Sequence, residues 1–228
     1  MSPKSNLNAL LLSSSHVADS FVFPQEIPNS PNPLSLCKWY ANEIKTVTEQ
    51  IDILEQAHNT FTTCSKGCAA CCHQLIAITY LEHLIIEFTL NNLPLDERTR
   101  IKETVYDQCN FLNNHGYSQN SLSSLFISPE KYNKMQEEYF SFGLPCPLLT
   151  QNKTCSIYSL RPTLCWSYRN YGNTIQCTQT WEVPTTLKYD DWESKVAKRF
   201  YQIKRPSRKY TLMILQFALL TMLSQKRF

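Results

Sequence analysis

The chain has 228 residues, enough for one sizeable domain with a core of its own. Apolar residues make up 43% and aromatic residues 12%, which excludes an intrinsically disordered chain. With 22 Lys and Arg against 19 Asp and Glu, the net charge of +3 is too small to point by itself to nucleic acid or an anionic membrane.

Residues 1 to about 34 are polar and carry Pro24, Pro28, Pro31 and Pro33, which reads as a poorly ordered arm or a segment hugging the surface. The apolar run Ala9 to Leu12 is shorter than the roughly 7–15 residues of a secretory core, so no signal peptide is expected and the chain is placed in the cytoplasm. Residues 35–228 read as one mainly α domain. Tyr40, Ile44, Val47, Ile51, Leu54 and Phe61 follow helical spacing on a long helix that leads straight to Cys64. Thr79-Tyr-Leu-Glu82 is a capping box for a helix to about Asn92. Pro94 and Asp96 begin the next, with Ile101, Val105 and Leu112 inward and Gly116 as the stop. Residues 117 to 127 read as a loop, and Ser128-Pro129 opens a helix that Gly143 ends. Leu144 to about Glu182 is irregular, Asp190 or Asp191 caps a further helix, and Thr211 to Leu223 forms the last. That final run is too short for a membrane span, which needs about 20 residues, and reads as a buried helix.

Ten cysteines in a reducing compartment need an explanation other than disulfides. Cys37 and Cys109 lie on helical patterns and read as packed thiols. The other eight fall in the two irregular stretches: Cys64, Cys68, Cys71 and Cys72, then Cys146, Cys155, Cys165 and Cys177. Soft thiolates suit zinc, copper(I) and iron–sulfur centres, and a Cys-x2-Cys or Cys-x3-Cys loop aims two sulfurs at one ion. The expected architecture is therefore a single helical domain whose two irregular cysteine-rich loops meet at a metal site. Cys71 and Cys72 are adjacent, and neighbouring side chains diverge, so two centres or one polynuclear centre resolve the pattern. Four thiolates on one centre leave it near −2, for which Gly67 main chain and Arg161 can compensate; Lys66 is a further candidate, with a solvated turn lysine as the plainer reading.

Cys64-x3-Cys68-x2-Cys71-Cys72, Pro145-Cys146-Pro147-Leu148-Leu149 and Cys155-Ser156-Ile157-Tyr158-x2-Arg161-Pro162-x2-Cys165 together resemble a bacterial family of zinc- or iron-chelating cysteine-cluster proteins, often called YkgJ-like. The resemblance covers residues 60 to 180. It implies a bound zinc, iron or [4Fe–4S] centre, held by Cys64, Cys68, Cys71, Cys72, Cys146, Cys155 and Cys165, with Cys177 as a looser terminal member. The chain departs from the pattern at Trp166, where the family usually has arginine; Arg169 comes later. The leading function is zinc or iron binding, with the metal structural or carried for delivery or sensing to a protein partner. The alternative is an iron–sulfur enzyme of redox or methyl-transfer-related activity, since a relative of the domain occurs in flagellin lysine methylase.

Other features weigh less. His73 is a candidate nitrogen ligand, better read as a neighbour of the site, and His58 and His83 as partly exposed helix residues. Tyr158, Trp166, Tyr168 and Tyr171 read as a shield around the sulfurs. Lys195, Lys198, Arg199, Lys204, Arg205, Arg208 and Lys209 form the best nucleic-acid hint, with a solvated helix face as the plainer reading. Only four glycines occur, where an average chain this long carries about 16. No Gly-rich phosphate-binding loop is present.

Overall fold

A computed structural model describes residues 3–29, 32–122, 128–203 and 212–224. The fold is mainly α. The first element, α1 (Pro3–Ser20), is a helix within the stretch read as a poorly ordered arm or a segment hugging the surface. Its buried stripe is Leu7, Leu10, Ser14 and Ala18, so two of four inward positions are a serine and an alanine. α2 (Pro33–Ala57) opens on Asn32, whose side chain accepts the Ser35 N–H at 2.8 Å, a cap worth about 1 kcal/mol. Leu36, Tyr40, Ile44, Val47 and Ile51 line its inner face. The helix stops short of Phe61 because Asn59 turns left-handed at φ 47, and Phe61 is 58% exposed.

A 3-10 turn, Ala70–His73, carries Cys71 and Cys72. β1 (Ala77–Thr79) then runs into α3 (Tyr80–Asn91) through the anticipated capping box, with the Thr79 N–H donating to the Glu82 carboxylate at 2.7 Å. α4 (Leu95–Asn114) buries Ile101, Val105 and Leu112, and Gly116 follows it at φ 82. α5 (Pro129–Ser141) is capped by Ser128 and ends before Gly143 at φ 64. Residues 123–127 of the anticipated loop lie outside the described residues. The second cysteine stretch contains α6 (Thr163–Ser167) and β2 (Tyr168–Asn170). β3 (Thr186–Lys188), α7 (Asp190–Gln202), β4 (Leu212–Ile214) and α8 (Leu215–Ser224) complete the chain.

Two boundaries differ from the reading of the sequence. Tyr189, not an aspartate, occupies the N-cap of α7; Asp190, Asp191 and Glu193 sit in its first turn, where negative charge favours the helix dipole. The apolar run begins as β4, not as helix, because its first residues pair with β1: Ala77 faces Ile214, Ile78 faces Met213 and Thr79 faces Leu212, antiparallel. His83 is buried, not partly exposed, and its ring stacks on Tyr80.

The chain divides into two units, Met1–Cys71 with Ser159–Arg205 and Cys72–Tyr158 with Pro206–Phe228. In the first, α1 packs on α2 and α7, and α6 packs on the same two helices. Trp192 is fully buried and donates its indole N–H to Ser14 Oγ at 2.9 Å. Arg199, anticipated on a solvated basic face, instead forks onto buried Glu43 at 2.6 and 3.0 Å and lies 4.4 Å over the Phe23 ring. Lys195 donates to the Ala18 and Asp19 carbonyls. Lys204, Arg205, Arg208 and Lys209 lie outside the described residues.

In the second unit α8 packs on α3 and α4 and is buried on most sides. Its one amide, Gln216, is 2% exposed and donates to Gln108 Oε1 at 3.2 Å and to the Tyr139 hydroxyl. Those bonds offset part of the cost of placing a polar group in an apolar helix, while Gln216 Oε1 has no hydrogen-bond partner among the described residues. Among the described residues no helix is long and apolar enough to cross a membrane.

Candidate metal centre

In the first unit the Cys64 loop is fixed to β2 through one residue. The Asn170 carbonyl accepts the Thr63 N–H at 2.8 Å and the Thr62 and Thr63 hydroxyls at 3.0 and 3.1 Å. The Asn170 N–H donates to Cys64 Sγ at 3.2 Å. Cys68 closes a tight turn, its N–H on the Ser65 carbonyl at 2.9 Å, with Gly67 at φ 97, a conformation that glycine adopts without penalty.

Behind this loop lies a buried polar network. Glu55, 4% exposed, takes Arg169 at 2.8 Å and the Tyr171 hydroxyl at 2.7 Å on Oε1, and the Thr62 N–H at 3.2 Å on Oε2. Arg169 also reaches Asp52 at 2.6 Å and the Thr48 carbonyl at 3.3 Å. Since the single Tyr171 proton goes to Glu55, Tyr189 must donate to the Tyr171 oxygen. Burial pushes Tyr189 up to about 12. Arg169 is thus committed to α2 carboxylates, and the Tyr171 hydroxyl to Glu55.

Cys177 lies on a 3-10 turn, Thr174–Thr178, started by Asn173, whose side chain accepts the Ile175 N–H at 2.9 Å. Burial raises its thiol to about 11, and negative charge on Cys64, Cys71 and Cys68 adds to that rise. Three thiols of the first loop are therefore within electrostatic reach of a thiol more than a hundred positions later.

In the second unit the Cys146 N–H donates to the Cys72 carbonyl at 2.6 Å, so main chain of the two cysteine stretches is in direct contact. α4 holds the segment around Cys146. Gln108 donates to the Pro145 carbonyl at 2.8 Å, and Arg100 to the Pro147 carbonyl at 3.1 Å. Arg100 also forks onto Glu97 at 2.7 and 2.9 Å, and Ser156 donates to the same carboxylate at 2.6 Å. The Arg100 and Ser156 bonds hold Glu97 down at about 2, against the smaller effect of burial. Cys155 forms an isolated antiparallel bridge with Leu149.

No disulfide joins any of the ten cysteines. Cys37 and Cys109 are buried in helices, and burial pushes Cys109 up to about 12. Cys64 is exposed, while Cys68, Cys71, Cys72, Cys146, Cys155 and Cys165 are half-buried. Lys66 is exposed on its turn. Arg161 is half-buried, and its carbonyl accepts the Tyr40 hydroxyl at 3.0 Å. His73 Nδ1 lies 3.1 Å from the Gly143 carbonyl. Among the described residues, no group of three or more His, Cys, Asp or Glu side chains is arranged to hold a metal ion. The residues that fasten the loops, Glu55, Asn170, Glu97, Arg100 and Gln108, are not anticipated from the sequence. Their polar side chains look like ordinary surface until the partners, far away in the chain, are known.

A family model described as "Putative zinc- or iron-chelating domain", CxxCxxCC, matches residues 63–193, which contain all eight loop cysteines. No curated protein and no solved structure matches the chain.

Proposed function

Because the chain belongs to the CxxCxxCC family of chelating domains, a metal-binding family, we propose that its loop thiolates hold zinc or iron. The ligands are the two quartets Cys64, Cys68, Cys71 and Cys72, and Cys146, Cys155, Cys165 and Cys177. Because adjacent side chains diverge at Cys71 and Cys72, they serve two centres or one polynuclear centre. The observation that carries the reading is the Cys146 N–H on the Cys72 carbonyl, which joins two cysteine stretches that are far apart in sequence.

The residues fit such a centre in their donor chemistry. Burial raises the Cys177 thiol and negative charge on Cys64, Cys71 and Cys68 adds to that rise, a repulsion that a bound cation would relieve. Trp166 Nε1 and Asn170 Nδ2, both on residues 1% exposed, have no hydrogen-bond partner among the described residues. Buried donors without acceptors are costly, and anionic sulfur is an acceptor. Arg161 serves as a further charge-assisted donor to sulfur. Bound, the metal would neutralise the thiolates and cross-link segments distant in sequence, so that its binding free energy adds to folding. The chain's own residues orient the thiols: Asn170 holds the Cys64 loop, and Trp166 limits water at Cys165. The metal is structural, or carried for delivery or sensing.

Purification without oxygen, followed by elemental analysis and a visible spectrum, tests this. Stoichiometric zinc in a colourless protein, or iron with or without the brown absorption of a cluster, agrees with it. Protein free of both metals contradicts it.

A further inference from the structure

The hydrogen bonds of α4 are unevenly distributed. Glu97, Arg100 and Gln108 lie along one side of the helix, bordering the face that buries Ile101, Val105 and Leu112. Each reaches a short part of the second cysteine stretch. Gln108 takes the Pro145 carbonyl, on the residue before Cys146, and Arg100 takes that of Pro147, on the residue after it. Glu97 takes the Ser156 hydroxyl, on the residue after Cys155. The Ser156 hydroxyl and N–H both also reach the Leu148 carbonyl, at 2.9 Å.

We infer that Glu97, Arg100 and Gln108 are positioning residues for Cys146 and Cys155, a clamp that presents these two thiols to the metal; the inference rests on the metal-binding reading above. Several features separate a clamp from ordinary packing. The prolines on both sides of Cys146 remove two main-chain donors, so this stretch cannot form a ladder of its own; the Cys146 carbonyl takes the Leu149 N–H, while the Pro145 and Pro147 carbonyls take side-chain donors. The guanidinium fork is rigid and bidentate on Glu97, which aims a further N–H of Nη2 at the Pro147 carbonyl. Gln108 is itself fixed from behind by Gln216 of α8. The same carboxylate receives both Arg100 and Ser156, so the flanks of Cys146 and Cys155 are tied to one point. Ligand-orienting partners of this kind change metal affinity by about 10–100-fold when removed.

The test uses the full chain loaded with zinc, and in parallel with cobalt(II), whose sulfur-to-metal charge-transfer band reports thiolate ligation. Arg100→Gln and the milder Ser156→Ala are compared with Arg199→Gln, which breaks a buried ion pair of the other unit. Zinc transfer to a chelator under native conditions should quicken about tenfold or more in Arg100→Gln, and measurably in Ser156→Ala, with a weaker charge-transfer band. Arg199→Gln should lower the melting temperature while leaving release and band as in the wild type. If both α4-clamp variants release zinc at the wild-type rate with an unchanged band, the inference is overturned and metal binding stands. If the wild type takes up neither metal and holds no iron when purified without oxygen, the metal-binding reading falls and the clamp with it.

Discussion

Around Cys64 the chain is fixed by buried charge, whereas around Cys146 it is fixed by amides and a half-exposed ion pair. Arg169 and Glu55 have side chains 9% and 5% exposed, and Glu55 also serves Tyr171 and Thr62. Arg100 and Glu97 are 28% and 21% exposed, and much of the remaining work falls to the neutral side chains of Gln108 and Ser156. Both arrangements hold a thiol-bearing loop to the helix beside it. They differ in what happens when one partner is lost. A buried charge left alone has no water to turn to, while a half-exposed one does.

The largest effect should follow from Arg169→Met, which strands Glu55: a loss of about 3–5 kcal/mol in urea unfolding. Adding Glu55→Gln to that variant should recover part of the loss, since the stranded charge is gone. A cost no larger than that of Arg100→Met would erase the contrast between the loops. Arg100→Met itself should lose about 1–2 kcal/mol, because water replaces some of its bonds.

Glu97 sharpens the comparison through pH. Its folded pKa of about 2 lies below the ordinary 4.5, so its contribution is complete above about pH 4.5 and is lost as the pH falls toward 2. The difference in urea midpoint between wild type and Glu97→Gln should therefore be constant above pH 4.5 and shrink steadily below it. A difference that grows on acidification would contradict the Arg100 and Ser156 bonds as its cause. The smallest effect belongs to Asn32→Ala, which removes the α2 cap at about 1 kcal/mol. Bound metal, measured on the purified variant, should stay at the wild-type level.

Local signals in the sequence carry far, and long-range ones do not. The Thr79–Glu82 capping box, Ser128-Pro129, Gly116 and Gly143 mark helix ends with residues whose chemistry acts within one turn. α1 escapes notice because its inner stripe passes through Ser14 and Ala18, so apolar periodicity is thin; the Trp192 indole that satisfies Ser14 is 178 residues away. The β4–α8 junction is hidden for a related reason. A continuous apolar run has no period to distinguish strand from helix, and only pairing with β1 decides it. At the candidate site the sulfur pattern is plain in the sequence. The side chains that hold the loops are not: Arg169 carries no local sign of its partners, the Asp52 and Glu55 carboxylates on α2.

The most direct test is metal content per chain in Cys71→Ser and Cys109→Ser, purified side by side with the wild type under reducing conditions without oxygen. Cys71→Ser should lose bound zinc or iron, while Cys109→Ser, whose thiol is buried in α4, should keep the full amount. Equal metal in the two variants would contradict the assignment of the loop thiols as ligands.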